Sequence, residues 1–211
     1  MKISIHQPNF LPHQGYFDKM LNCDIFVYLD HVQFSKGGYI NRTKLEKGWL
    51  TMPVTNKDKA INQVLLHQPY KNIDKLSKRI KQGFPKHYKR YKNILNINSC
   101  SIFQNDYLQS EDCSPPKYIG PNLADFNIKL IEAHMTETGI PTKTVRSSEL
   151  DFDKGLKNNL MLVEIIKSLG GKTYLTRNSS YHNPKVFEKS NINVEYFDSM
   201  KNSNGLSIIT T

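Results

Sequence analysis

Apolar and polar positions alternate at two different periods along this chain. Ile3 and Ile5 flank Ser4 and give way to His6-Gln7-Pro8, so 2–5 reads as a short strand stopped by a proline. A Pro-bounded loop leads to a short helix at 15–22. A second apolar strand at 25–29 then ends in Asp30-His31-Val32-Gln33. Strand, helix and strand form a small βαβ unit. Alternation over 39–45 and 49–54 predicts a hairpin turning near Lys47-Gly48, and 64–67 adds a strand. Ile73, Leu76 and Ile80 recur at helical spacing over 72–82, with Gly83 as terminator. A further helix is expected at 87–95, with Tyr88 and Tyr91 on one face.

The C-terminal half repeats a helix–strand rhythm. Asn122 is placed to cap a helix running to Thr138, with Gly139 beyond its end and Leu123, Phe126, Leu130 and His134 as its inner stripe. A strand at 143–146 follows. A helix at 154–169 comes next, with Leu156, Leu160, Val163 and Ile166 facing inward. Strands at 173–176 and 193–197 bracket a short helix opened by Asn183-Pro184. The alternation predicts an α/β fold, a Rossmann-like open parallel sheet with helices on both faces. Residues 1–211 are expected to form a single α/β domain, with a basic, mainly helical insertion at about 56–120. Ligands of such sheets bind outside the carboxyl ends of the strands, which directs attention to the polar residues that end each strand.

Charge sharpens this picture. The chain carries 29 Lys and Arg against 19 Asp and Glu, a net +10. Eleven of those cations, against Asp58 and Asp74, lie between residues 56 and 96, and the rest is close to neutral. The imbalance suits an anionic partner such as a nucleotide, a sugar phosphate, a tRNA or a lipid headgroup; a solvated lysine-rich face is the plainer alternative. No apolar run reaches the roughly 18 residues that span a bilayer, and no signal-peptide core opens the chain, which predicts a cytoplasmic protein. Cys23, Cys100 and Cys113 are too widely spaced for a zinc ribbon, and no His-Glu-x-x-His occurs, so no metal site is expected.

Several polar groups can carry chemistry. His6 sits where the first strand ends and can accept a proton near neutral pH or bind phosphate. Asp30 follows the second strand and can serve as base or hold an amine or a sugar hydroxyl; a structural ion pair is its alternative. Gln7, Tyr16, Gln33 and Asn41 can contact substrate, and Arg42 can grip a phosphate or carboxylate with its planar fork. Arg177, after a later strand, can hold an anion. His13-Gln14-Gly15-Tyr16 follows strand and loop at a helix start, as the His-x-Gly-His of HIGH-type nucleotidyltransferases does, but Tyr16 stands where the second His belongs. Its His13, with Lys86, Lys89 and Arg90 of the basic segment, makes a candidate phosphate-binding set. Ser148 can cap a helix or touch a ligand, and no Gly-x-Ser-x-Gly surrounds it.

The run Gln7-Pro8, Phe10-Leu11-Pro12, Gly15-Tyr16-Phe17, Leu29-Asp30-His31-Val32-Gln33-Phe34-Ser35 and Asn41-Arg42 resembles the WbqC-like family. So do Asp125-Phe126-Asn127, Gly139-Ile140-Pro141-Thr142, Ser147-Ser148-Glu149-Leu150, Lys167-Ser168-Leu169-Gly170-Gly171 and Gly205-Leu206-Ser207-Ile208. The resemblance implies a place in bacterial surface-polysaccharide (O-antigen) biosynthesis. It also implies a candidate reaction, transfer of a glycyl-type aminoacyl or acyl group to an amino sugar or nucleotide-linked amino sugar. Such a transferase needs an activated donor, whether aminoacyl-tRNA, acyl-CoA or an ATP-activated amino acid. His6 or Asp30 would be the base, and Gln7 and Asn41 would be hydrogen-bond donors. A nucleotidyltransferase using ATP or CTP, and an RNA-binding module built on the lysine-rich segment with Tyr88 and Tyr91, are the rival readings.

Overall fold

The computed structural model describes residues 1–46, 48–95, 122–177 and 183–197. Cys100, Cys113, Asn178, Ser179, the Gly205–Ile208 motif and the last part of the expected insertion lie outside them. The chain folds into two compact units. Of the described residues, the first holds 1–8, 13–32 and those from 140 to 197, and the second holds 9–12 and those from 33 to 139.

The first unit is built on five parallel strands: β1 (Lys2–His6), β2 (Ile25–Tyr28), β7 (Lys143–Arg146), β8 (Thr173–Thr176) and β9 (Asn193–Tyr196). Their order is β7-β2-β1-β8-β9. The chain therefore winds outward from β1 in one direction, then returns and winds outward in the other. That reversal, between β1 and β8, is the topological switch point of a doubly wound sheet. Every neighbouring pair is parallel, with Ile3 opposite Ile25 on one side and Tyr174 on the other.

Strand alternation sorts the side chains onto two faces. Ile3, Ile5, Ile25 and Val27 pack with Met161, Val163, Ile165 and Ile166 of the helix α5 (Asn158–Ser168) and with Phe187 of α6 (Pro184–Glu188). Phe26 points the other way, against Tyr16 of α1 (Gln14–Leu21), with ring centroids 5.1 Å apart. Helices thus cover both faces, as the alternation predicted. Helix α5 starts four residues later than its apolar spacing suggested, and Leu160 is 56% exposed rather than inward. The buried stripe runs through Met161, one residue on.

The second unit contains the antiparallel hairpin β3 (Arg42–Leu45) and β4 (Gly48–Thr51), and the short pair β5 (Val54–Thr55) and β6 (Leu65–Leu66). Three helices follow: α2 (Pro69–Gly83), α3 (Pro85–Leu95) and α4 (Leu123–Thr138). Asn122 caps α4 by accepting from the backbone N–H groups of Ala124 and Asp125, and Gly139 ends it in the left-handed region at φ 68°. The apolar stripes of α2 and α3, Ile73, Leu76, Ile80, Tyr91 and Leu95, are buried. Tyr91 is therefore a core residue and not a surface stacking platform.

Candidate functional site

A cavity of about 480 Å³ opens at the carboxyl edge of the sheet in the first unit. It lies at the switch point, because β1 ends in its wall at His6-Gln7 and β8 at Thr176-Arg177. The start of α1 adds His13, Gly15, Tyr16 and Lys19. Pro8 explains part of this geometry: it cannot continue the ladder, so the chain leaves the sheet immediately after Gln7.

The His6 ring lies 3.0 Å from the Gln7 carbonyl through Nδ1. A carbonyl only accepts, so Nδ1 carries the proton and Nε2 keeps its lone pair. Burial first, and the Lys19 ammonium second, push the His6 pKa down to about 3. His6 is thus a neutral imidazole at physiological pH. Tyr16 fixes it from the side, edge to face at 5.0 Å, and its hydroxyl donates to the same Gln7 carbonyl at 3.1 Å.

Lys19 is 5% exposed and donates to the Ile5 carbonyl at 3.0 Å. Burial, and then Arg177, bring its pKa down to about 8, against the opposing pull of Cys23. Reading the sequence missed this residue. Its signal was present: Lys19 interrupts the apolar face formed by Tyr16, Phe17 and Met20 of α1. A lysine there must reach a carbonyl, a carboxylate or a ligand. His13 occupies the N-cap position of α1, and its Nδ1 is buried with no hydrogen-bond partner among the described residues. Burial, and then the charge of Arg177, hold the His13 ring below its ordinary pKa. None of the residues lining the cavity is Asp or Glu. Two cations, two imidazoles and no carboxylate give it a positively charged lining whose chemistry suits an anion.

Of the expected site residues, His6, Gln7, His13, Tyr16 and Arg177 meet at this cavity. Asp30 belongs to a different cluster of the first unit. It is fully buried, and one carboxylate oxygen accepts from Arg146 Nε and Ser148 Oγ, both at 2.8 Å. The other accepts from the Ser148 backbone N–H and from Ser147 Oγ. Burial would raise its pKa, but the bonds from Ser148 and Arg146 outweigh that and hold it low. These four bonds tie the end of β2 to the end of β7. Ser148 serves this tie. His31 bonds Ser147 Oγ at 2.6 Å and stacks edge-on against Phe152.

The remaining candidates belong to the second unit. Gln33 is exposed and bridges to Ala60. Asn41 donates to the Met52 carbonyl at 3.0 Å. Arg42 donates to the Gly37 and Gly38 carbonyls, and its guanidinium lies 4.2 Å from the Trp49 ring. Lys86 and Lys89 are exposed, whereas Arg90 pairs with Glu137 and touches His134. Among the described residues, no three His, Cys, Asp or Glu side chains gather so as to hold a metal ion. No helix there is long and apolar enough to cross a membrane.

The chain is similar to an uncharacterised protein of Mycobacterium tuberculosis, Rv1507c. The two are 25% identical over 206 residues, spanning 93% of this chain and 82% of that one. No solved structure matches it. The profile of the WbqC-like protein family matches residues 7–204. That span begins just after β1 and takes in Gln7, all of α1 and the strands β2, β7, β8 and β9 of the parallel sheet, and the chain belongs to the WbqC-like protein family.

Proposed function

We propose that the cavity at the switch point is the active site of a transferase. It moves an aminoacyl or other acyl group onto the amine of a phosphorylated or nucleotide-linked amino sugar in surface-polysaccharide biosynthesis. The observation that carries this reading is a neutral His6 beside Lys19 and Arg177 in a cavity without a carboxylate. The cations seat the phosphate. The imidazole serves as base.

In this reaction the sugar amine attacks the acyl carbonyl and a C–N bond forms. His6 Nε2 takes the proton that the nitrogen sheds, and fixed donors at the cavity, Gln7 among them, stabilise the oxyanion. The donor's leaving group then departs: a tRNA hydroxyl or a CoA thiol receives the proton from His6, whereas an adenylate releases AMP as its phosphate anion and the proton passes to solvent. An imidazole with a pKa of about 3 is a weak base. An anionic substrate raises it in part, because it offsets the Lys19 charge, the second cause of the depression after burial. Base strength thus rises only when the site is filled. The donor is an aminoacyl-tRNA, an acyl-CoA or an ATP-activated amino acid.

The test is a mass-spectrometric screen of nucleotide-linked amino sugars with each donor. The expected product is an N-acylated sugar, lost in His6→Gln and in Lys19→Met. Product formation undiminished in both variants would end this reading. A second reading, nucleotidyl transfer, is favoured by His13, whose buried Nδ1 at the start of α1 has no hydrogen-bond partner among the described residues. Pyrophosphate release from ATP or CTP with a sugar phosphate separates it from acyl transfer.

A further inference from the structure

The helical pair α2–α3 shows a charge distribution that folding alone does not require. Between residues 71 and 92 eight Lys and Arg side chains are exposed, and Asp74 is the sole acid of these two helices. Asp74 holds Lys78 at 2.7 Å. Arg90 is withdrawn by Glu137. Lys75, Lys78 and Arg79 nevertheless line one shallow groove with Gln82 and Gly83, about 490 Å³ in volume. Three like charges crowded along one groove repel one another until an anion arrives.

Lys71, Lys75, Lys78 and Gln82 follow one another at intervals of four, three and four residues. They form a polar stripe along one side of α2, rising about 6 Å per four-residue step. An extended row of cations suits an extended row of phosphates better than a single phosphate. Two macromolecular partners offer such a row, a nucleic acid and an anionic bilayer. A helix that enters a bilayer surface buries an apolar face in it. Here the apolar faces of α2 and α3 are consumed in the protein core, and no large hydrophobic side chain described between residues 69 and 95 is exposed. The surface has charge without an apolar insert. It also lacks an exposed described aromatic on which single-stranded bases could stack, since Tyr91 is buried and Tyr88 half-buried.

We propose that the α2–α3 surface, centred on Lys75, Lys78 and Arg79, docks the phosphate backbone of a helical nucleic-acid stem without reading its sequence. This surface is independent of the cavity and stands whether or not the acyl-transfer reading does. Backbone neutralisation releases counterions, so affinity falls linearly in log–log form with salt, by about 0.9 per phosphate engaged on a duplex.

The test uses the full chain and fluorescence anisotropy with a labelled RNA hairpin, a DNA hairpin of the same stem, and vesicles with anionic lipid. Wild type should bind the hairpins with a steep salt slope and leave the vesicles largely unbound. Lys75→Gln with Arg79→Gln should weaken hairpin binding at least roughly tenfold at low salt and flatten the slope by about two. Lys143→Gln with Lys172→Gln removes the same charge from exposed positions of the first unit and should change binding little. A difference between the RNA and DNA arms identifies which backbone is preferred. Equal weakening in the two double variants would mean net charge alone is responsible and would overturn the proposal. So would preferential vesicle binding, or absence of hairpin binding at low salt. Matching melting temperatures of the variants show that the fold is unaffected.

Discussion

Lys19 is a cation that the fold would keep more easily without. Its pKa falls from 10.5 to about 8 on folding, mainly by burial. The unfolded chain therefore holds that proton more tightly, a penalty on the order of 3 kcal/mol at neutral pH. The penalty is full below pH 8 and fades as pH rises towards 10.5. Lys19→Met removes it but leaves the Ile5 carbonyl without a donor, which costs about 1–3 kcal/mol. The expected result is a variant no less stable than wild type at pH 7, whose relative advantage shrinks at pH 10. Its affinity for a phosphorylated sugar should drop at least tenfold, about 1.4 kcal/mol. Thermal melts at both pH values and a ligand titration check this, and unchanged affinity would remove Lys19 from the site. Asp30 presents the opposite case. Its four hydrogen bonds leave a carboxylate committed to Arg146, Ser147 and Ser148. Asp30→Ala should cost roughly 3–5 kcal/mol in urea unfolding. The folded fraction of Asp30→Asn should bind ligand like wild type; lost binding with unchanged stability would return Asp30 to the site. The sequence made His6 and Asp30 equivalent, each a polar residue after a strand. Only the chain folded back to bring Arg146 and Ser148 onto Asp30 separates them, and that contact spans more than a hundred residues.

At the scale of elements, most of the sheet was legible because its signals are local. Asn122 and Gly139 mark the ends of α4 by capping chemistry that four or five residues suffice to encode, and they do so in the structure. Asn122→Ala should cost about 1 kcal/mol through the lost cap. Gly171 works differently. A Cβ there would fall 2.5 Å from Ile3 Cγ1 and 2.8 Å from Ile166 Cγ2, where β1 and the end of α5 approach each other. Gly171→Ala should destabilise by about 1–3 kcal/mol, read from chemical denaturation. A neutral outcome would mean that Ile3 and Ile166 can repack. The start of α5 was illegible for the same reason that Gly171 matters. Leu160 fits a helical stripe as well as Met161 does. The choice between them is made by packing against Ile3, Ile5 and Phe187 rather than by spacing.

At the scale of the whole molecule, five of the described histidines share one electrostatic sign. Burial brings His6 to about 3 and His134 to about 4, and it lowers His13, His31 and His87 as well. A folded pKa below the unfolded value means that the unfolded chain binds more protons between the two. Stability therefore rises with pH through that window and is lost as pH falls from 6.5 towards 3. Between pH 6 and pH 5 most Asp and Glu side chains are still ionised, so the histidines govern the slope. His6 and His134 alone should make stability fall by about 2 kcal/mol per pH unit there, each fully linked proton contributing at most about 1.4. Urea titrations at pH 7, 6 and 5 measure it. His134→Asn should flatten the slope by about one proton's worth while leaving ligand binding intact, because His134 lies in the second unit against Arg90. His6→Gln should flatten it similarly and abolish turnover. A wild-type stability that stays level from pH 7 to pH 5 would show that His6 takes up its proton in the folded state. His6 would then be an ordinary imidazole, mostly neutral at pH 7 and charged at pH 5, and acyl transfer should fall off over that interval instead of persisting through it.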